Sequence, residues 1–153
     1  MRPILAVLLV ALCGCAPQYV ETIASSDQDL PVRRAIFEQT PAPLDVAFRS
    51  SCDSPGDELR EISGSVVQCR ILPPPDLAAF LLVQYDGALE APMLVVQKET
   101  DSDADAFVVE LSYFAEVIQK SGNPRRIYFK QRGLDQLMDQ LLVATGGVAA
   151  NTL

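Results

Sequence analysis

The sequence predicts an α+β fold, with an antiparallel sheet of about four to five strands packed by a C-terminal helix and a candidate second helix over residues 76–85. Three observations predict it. Short stretches alternate apolar and polar residues with the period of a strand. Pro, Gly, Asn and Asp separate these stretches with turn chemistry. One segment near the C-terminus carries the spacing of an amphipathic helix. The size fits one domain: 153 residues, 49% hydrophobic and 21% charged, the profile of a modest globular chain.

Residues 15–43 read as a tether. Pro17, Pro31, Pro41 and Pro43 punctuate them, Ser25-Ser26-Asp27-Gln28-Asp29 is polar, and no apolar period holds. A short element at Val32 to Glu38 is compatible with that reading. A flexible segment of this length reaches about 30 Å. The folded domain is expected over residues 44–147. Leu44, Val46 and Phe48 alternate with Asp45 and Ala47, a strand pattern. Ser54-Pro55-Gly56-Asp57 is a turn, and residues 57–62 read as a short helical turn.

Residues 66–71 alternate again, with Val67, Cys69 and Ile71 on one face and Gln68 and Arg70 on the other. Pro73-Pro74-Pro75 stops that strand. Residues 76–85 admit two readings. Asp76 can cap a helix with Leu77, Phe80 and Leu81 inward, or Phe80 to Tyr85 with Asp86-Gly87 can form half of a hairpin. Leu77-Ala78-Ala79 favours the helix.

Residues 93–98 read as a strand, and Thr100 to Asp105 as an acidic loop. Phe107, Val109, Leu111 and Tyr113 mark one face of a long strand. A turn at Ser121-Gly122-Asn123-Pro124 joins it to an antiparallel strand over residues 125–130, with Ile127 and Phe129 inward. The clearest helix is last. Leu134, Leu137, Met138, Leu141 and Leu142 share a stripe, and Gly146-Gly147 ends it. Residues 148–153 are expected to fray.

Composition restricts the chemistry. Asp and Glu number 20 against 12 Lys and Arg, for a formal net charge of −8. That balance opposes nucleic acid as a partner. The chain has no His, which excludes a Ser-His-Asp triad, a Cys-His dyad and His-ligated zinc within it. No G-x-S-x-G, S-x-x-K or phosphate-binding glycine loop occurs. A non-catalytic protein with no cofactor and no catalytic residues is expected. Asp101, Asp103 and Asp105 alternate as an EF-hand begins, but Ala106 and Ser112 stand where Gly and Glu are required. No metal site is expected. Arg125, Arg126 and Lys130, with Arg132 near, form a basic cluster on an acidic protein and a candidate docking patch.

The N-terminus carries the most specific signal. Arg2 supplies a positive start, and Ile4 to Cys13 is an unbroken apolar run. As a helix this run covers about 15 Å, half of a bilayer core, and it fits a secretory h-region. It ends in Leu12-Cys13-Gly14-Cys15, which resembles the lipobox of bacterial lipoproteins. The resemblance implies a signal peptide over residues 1–14, cleavage before Cys15, and acylation of Cys15 with diacylglycerol and a further acyl chain such as palmitate. Cys13 departs from the Ala, Ser or Thr usual at its position. Ala16 in place of Asp implies the outer membrane, facing the periplasm. Cleavage removes Arg2 and takes the formal net charge from −8 to −9.

With Cys15 assigned to lipid, Cys52 and Cys69 remain as an even pair. In an oxidising compartment the natural reading is a disulfide. Free thiols, a metal site and a redox pair compete with it, but no C-x-x-C and no further ligand set occurs. The resulting expectation is a lipid-anchored envelope protein that binds or helps assemble a protein partner in the periplasm. The alternative is a lipoprotein binding a small ligand, a cation or cell-wall glycan.

Overall fold

The computed structural model describes residues 21–22, 32–87, 90–103 and 106–150. The elements run β1 (Glu21–Thr22), β2 (Val32–Phe37), α1 (Ala42–Ser50), β3 (Glu58–Glu61), β4 (Val66–Ile71), α2 (Pro75–Gln84), β5 (Met93–Asp103), β6 (Ala106–Ile118), β7 (Pro124–Phe129), α3 (Arg132–Ala144) and β8 (Val148–Ala149). The fold is α+β, and every described strand pairing is antiparallel.

Strand β6 organises the sheet. One edge pairs along its length with β5, from Met93↔Glu116 to Asp103↔Ala106. The other edge forks. Its first half pairs with β2, from Phe37↔Phe107 to Val32↔Ser112. Its second half pairs with β7, from Phe114↔Tyr128 to Ile118↔Pro124. β4 and β3 extend the sheet beyond β5, and β1 and β8 cover short stretches of β7 and β2. The edge strand β3 reads Glu-Leu-Arg-Glu, and such charge discourages pairing with another chain.

The three described helices pack on one face. Leu44 and Phe48 of α1 and Met138 and Leu142 of α3 join Ala35, Phe37, Val67, Cys69, Val109, Leu111 and Tyr113 in one core. Leu81 and Tyr85, at the end of α2, join Ala115, Val117 and Ile127 in a second. Among the described residues no helix lies on the opposite face. There Val95, Phe114 and Tyr128 form a small buried cluster surrounded by polar side chains. No described helix is long and apolar enough to cross a membrane.

Several expectations change. Leu44 to Arg49 is helical, not extended. Leu44 and Phe48 are buried one turn apart, while Val46 is 68% exposed, so the spacing of four decides over the spacing of two. Asp45 in the first turn and Arg49 in the last suit the helix dipole. Residues 57–62 hold an edge strand instead of a helical turn, with Leu59 opposite Cys69. The acidic stretch from Thr100 runs as strand to Asp103, because the β5–β6 ladder continues to its end. Residues 104–105 lie outside the description.

The folded body also begins before Leu44. Val32–Phe37 is a full strand, with Ala35 wholly buried. Its apolar residues divide between both faces, so no single alternating stripe marks it. Glu21 and Thr22 pair with Phe129 and Tyr128. The rest of the tether before Val32 lies outside the described residues. At the other end, residues 148–149 do not fray but pair with β2. Gly147 makes this return possible: a Cβ there would sit 2.7 Å from the Phe37 ring and 2.8 Å from the Leu142 carbonyl oxygen. The helix at residues 75–84 and the strands at 66–71 and 125–129 agree with the sequence reading.

Candidate functional site

Strand alternation assigns each side chain of the helix-free face. Gln68 and Arg70 come from β4, Gln97 and Glu99 from β5, Glu110, Ser112 and Glu116 from β6, Arg34 from β2 and Arg126 from β7. Gln68 Nε2 donates to Gln97 Oε1 at 2.8 Å across the strand pair. Arg34 pairs with Glu110 directly opposite. Glu99 takes a long contact from Gln97 Nε2 at 3.5 Å. The Arg126 guanidinium lies over the Phe114 ring, 4.9 Å from its centroid, a cation–π arrangement.

Arg70 is the most enclosed of the charged groups named on this face, 8% exposed. Its Nη2 donates to Glu116 Oε1 at 2.7 Å, and its Nε lies 3.7 Å from Glu58 Oε2. Nε is buried without a hydrogen bond. Glu58 is held below the ordinary carboxylate range by the hydrogen bond from Arg60, with the Arg60 and Arg70 charges adding to it. Arg60 is raised correspondingly by Glu58.

Gln97, Glu99, Glu110, Ser112 and Arg126 line a shallow polar recess with Val32 and Tyr128. Its donors and acceptors suit a polar or mixed-charge partner. The sequence placed Gln68 and Arg70 on a polar face but gave no sign of their burial, which comes from partners on other strands.

On the helix-covered face two polar groups are sealed in. Lys98 is buried beneath α1, where it pairs with Asp45 and reaches Thr100 Oγ1 at 3.2 Å. The Tyr113 hydroxyl donates to Asp135 Oδ1 at 2.9 Å and accepts from the Gln131 backbone N–H at 2.7 Å. Burial pushes the Tyr113 phenol up to about 12, with Asp135 adding to it and the Gln131 N–H opposing it.

Cys52 and Cys69 form a disulfide with Cα atoms 5.7 Å apart. It ties the chain just after α1 to the core side of β4, and both cysteines are buried. Asp57 lies close enough to complete a three-ligand cluster with them, but sulfurs bonded to each other offer no thiolate to ligate a metal. Cys15 lies outside the described residues.

The basic patch divides. Arg125 and Arg126 are consecutive on β7 and so point to opposite faces. Arg125 stacks on Tyr85 at 5.1 Å, beside α2, while Arg126 stacks on Phe114 on the helix-free face. Lys130 is exposed in the link to α3. The three do not form one surface. Arg126 alone joins the recess.

A comparison with known protein families, curated proteins and solved structures finds no match for this chain.

Proposed function

We propose that this chain is a lipid-anchored protein of the bacterial cell envelope that binds or helps assemble a protein partner and catalyses no reaction. The cysteine set carries this reading. The sequence Leu12-Cys13-Gly14-Cys15 assigns Cys15 to lipid, and the two cysteines left after cleavage are the pair joined in the core. Such bridges persist in exported, oxidising compartments. Each buried methylene of an acyl chain contributes about 0.8 kcal/mol, and more than one chain makes the attachment durable. Ala16 favours the outer membrane, on its periplasmic side.

The leash is shorter than a free tether over residues 15–43 would be. Glu21 is already paired with Phe129, so Cys15 lies at most about 20 Å of chain from the body. The helix-free face, with its alternating arginines and carboxylates, is the surface offered to the partner. Its charge pattern supports specificity more than raw affinity.

A photo-crosslinking residue at Glu99, which is exposed on that face, tests the reading in intact envelopes. The expected result is one stoichiometric protein adduct, lost with Arg126→Glu and not formed from Leu137 on the outer side of α3. The same adducts from both positions, or none from Glu99, contradict it. The polar recess supports one alternative, a small polar ligand or cell-wall glycan. Saturable binding of a glycan fragment, lost with Arg126→Glu and without any adduct, selects that alternative.

A further inference from the structure

We propose that the dithiol form of this chain, the state that precedes the bridge, holds a zinc-like divalent cation on Cys52, Cys69 and Asp57, and that this site and the disulfide exclude one another. The proposal does not depend on the lipid-anchor reading. Sulfurs bonded to each other are closed to a metal, whereas the free thiols of the newly made chain can lose their protons to one.

Three separate stretches bring the ligands together. Cys52 follows α1, Cys69 lies on the core side of β4, and Asp57 ends the turn that leads into β3. The two sulfurs and a carboxylate oxygen of Asp57 all lie within 4.8 Å of one another. Zinc–sulfur bonds of about 2.3 Å at the tetrahedral angle set two thiolates roughly 3.8 Å apart, a spacing within that compass. Cys52 and Cys69 are buried and Asp57 is half-buried, so the cation enters on the Asp57 side.

The turn holds the carboxylate in place. The Asp57 N–H donates to the Ser54 carbonyl at 2.9 Å, and Asp57 Oδ2 accepts from the Ser54 N–H at 3.2 Å. Among the described residues no lysine or arginine pairs with Asp57. This placement suits a cation better than it suits oxidation. Oxidation runs through a thiolate, and the adjacent carboxylate repels that charge. A divalent cation reverses the sign and attracts all three groups. Water completes the fourth position of a zinc ion so held.

Binding forms two metal–sulfur bonds and one metal–oxygen bond and releases the two thiol protons. Closure of the bridge needs an incoming disulfide. Two electrons pass to it from the two thiolates, it departs as two thiolates, and the cation leaves. An occupied site therefore delays the bridge.

Cobalt(II) titration of the full chain, purified in detergent and reduced with a phosphine under argon, tests the site. The reduced chain is expected to keep its sheet by far-ultraviolet circular dichroism and to bind equimolar Co2+ with thiolate-to-metal charge-transfer absorption, displaced by Zn2+. The oxidised chain is expected to show no such absorption. Asp57→Asn is expected to weaken binding at least about tenfold while still closing the bridge. Cys52→Ser is expected to abolish the absorption, and Cys13→Ser with Cys15→Ser to leave it unchanged. Zn2+ is expected to slow closure by glutathione disulfide in the parent and far less in Asp57→Asn. Any of five results overturns the proposal: no absorption from the reduced chain, loss of the sheet on reduction, equal affinity in Asp57→Asn, absorption lost with Cys13 and Cys15, or closure indifferent to Zn2+.

Discussion

Arg70 on β4 reaches over β5 to hydrogen-bond Glu116 on β6 at 2.7 Å, with 9% and 13% of the two side chains exposed. Beneath them Val95 is fully buried. The pair therefore seals a small apolar cluster on the face that no described helix covers. A buried pair of this kind costs desolvation and repays it through geometry.

Glu116→Ala leaves Arg70 buried without its hydrogen-bonded carboxylate, with only the longer 3.7 Å contact to Glu58 remaining. It is expected to lose about 3–5 kcal/mol of stability, the usual cost of breaking such a pair. Replacing both residues with Met and Leu should recover most of that loss. Urea unfolding of the single and double variants measures both. A single variant within about 0.5 kcal/mol of the parent would show that the pair is not closed.

Tyr113 predicts an alkaline limb. Its phenol titrates near 10 in the unfolded chain and at about 12 in the folded one. Above pH 10 the unfolded state loses a proton that the folded state keeps, so stability falls as pH rises from 10 toward 12. Tyr113→Phe removes that contribution to the limb. It also orphans Asp135 and the Gln131 N–H, at about 1–3 kcal/mol at neutral pH. Thermal unfolding of both proteins from pH 8 to 12 checks the sign.

Removing the disulfide with the double variant Cys52→Ala and Cys69→Ala frees a closure spanning 17 positions. The expected cost is about 3 kcal/mol from loop closure, with the sheet retained. Far-ultraviolet circular dichroism and urea unfolding read these separately.

Gly147→Ala pushes a methyl group toward Phe37 and the Leu142 carbonyl. Overpacking of this kind costs about 1–3 kcal/mol. The loss should fall first on the β2–β8 pairing, seen as faster amide exchange at residues 148–150.

The strands that cross the sheet centre were legible because one apolar face is buried and the other is not. Val109, Leu111 and Tyr113 show this, as does the stripe through Met138 and Leu142. Where both periods fit, as at Leu44 and Phe48, only the partner helix-to-sheet packing decides. A short element at residues 32–38 was admitted, but its place as a full strand of the sheet was not legible, because Ala35 and Phe37 face the helices while Val32 and Ile36 face away. At the candidate site, Cys52 and Cys69 were legible from counting. The burial of Lys98, Arg70 and Gln68 was not, because each depends on a residue brought from elsewhere in the chain: Asp45, Glu116 and Gln97. The adjacency of Arg125 and Arg126 misled for a simple reason. Neighbours in a strand look in opposite directions.

The membrane claim meets its most direct test in the mass of the N-terminal peptide of the exported protein. The account predicts a peptide that begins at Cys15 and carries a thioether-linked diacylglyceryl group and an acylated amine. A peptide that begins elsewhere, or a Cys15 with an unmodified thiol, contradicts it.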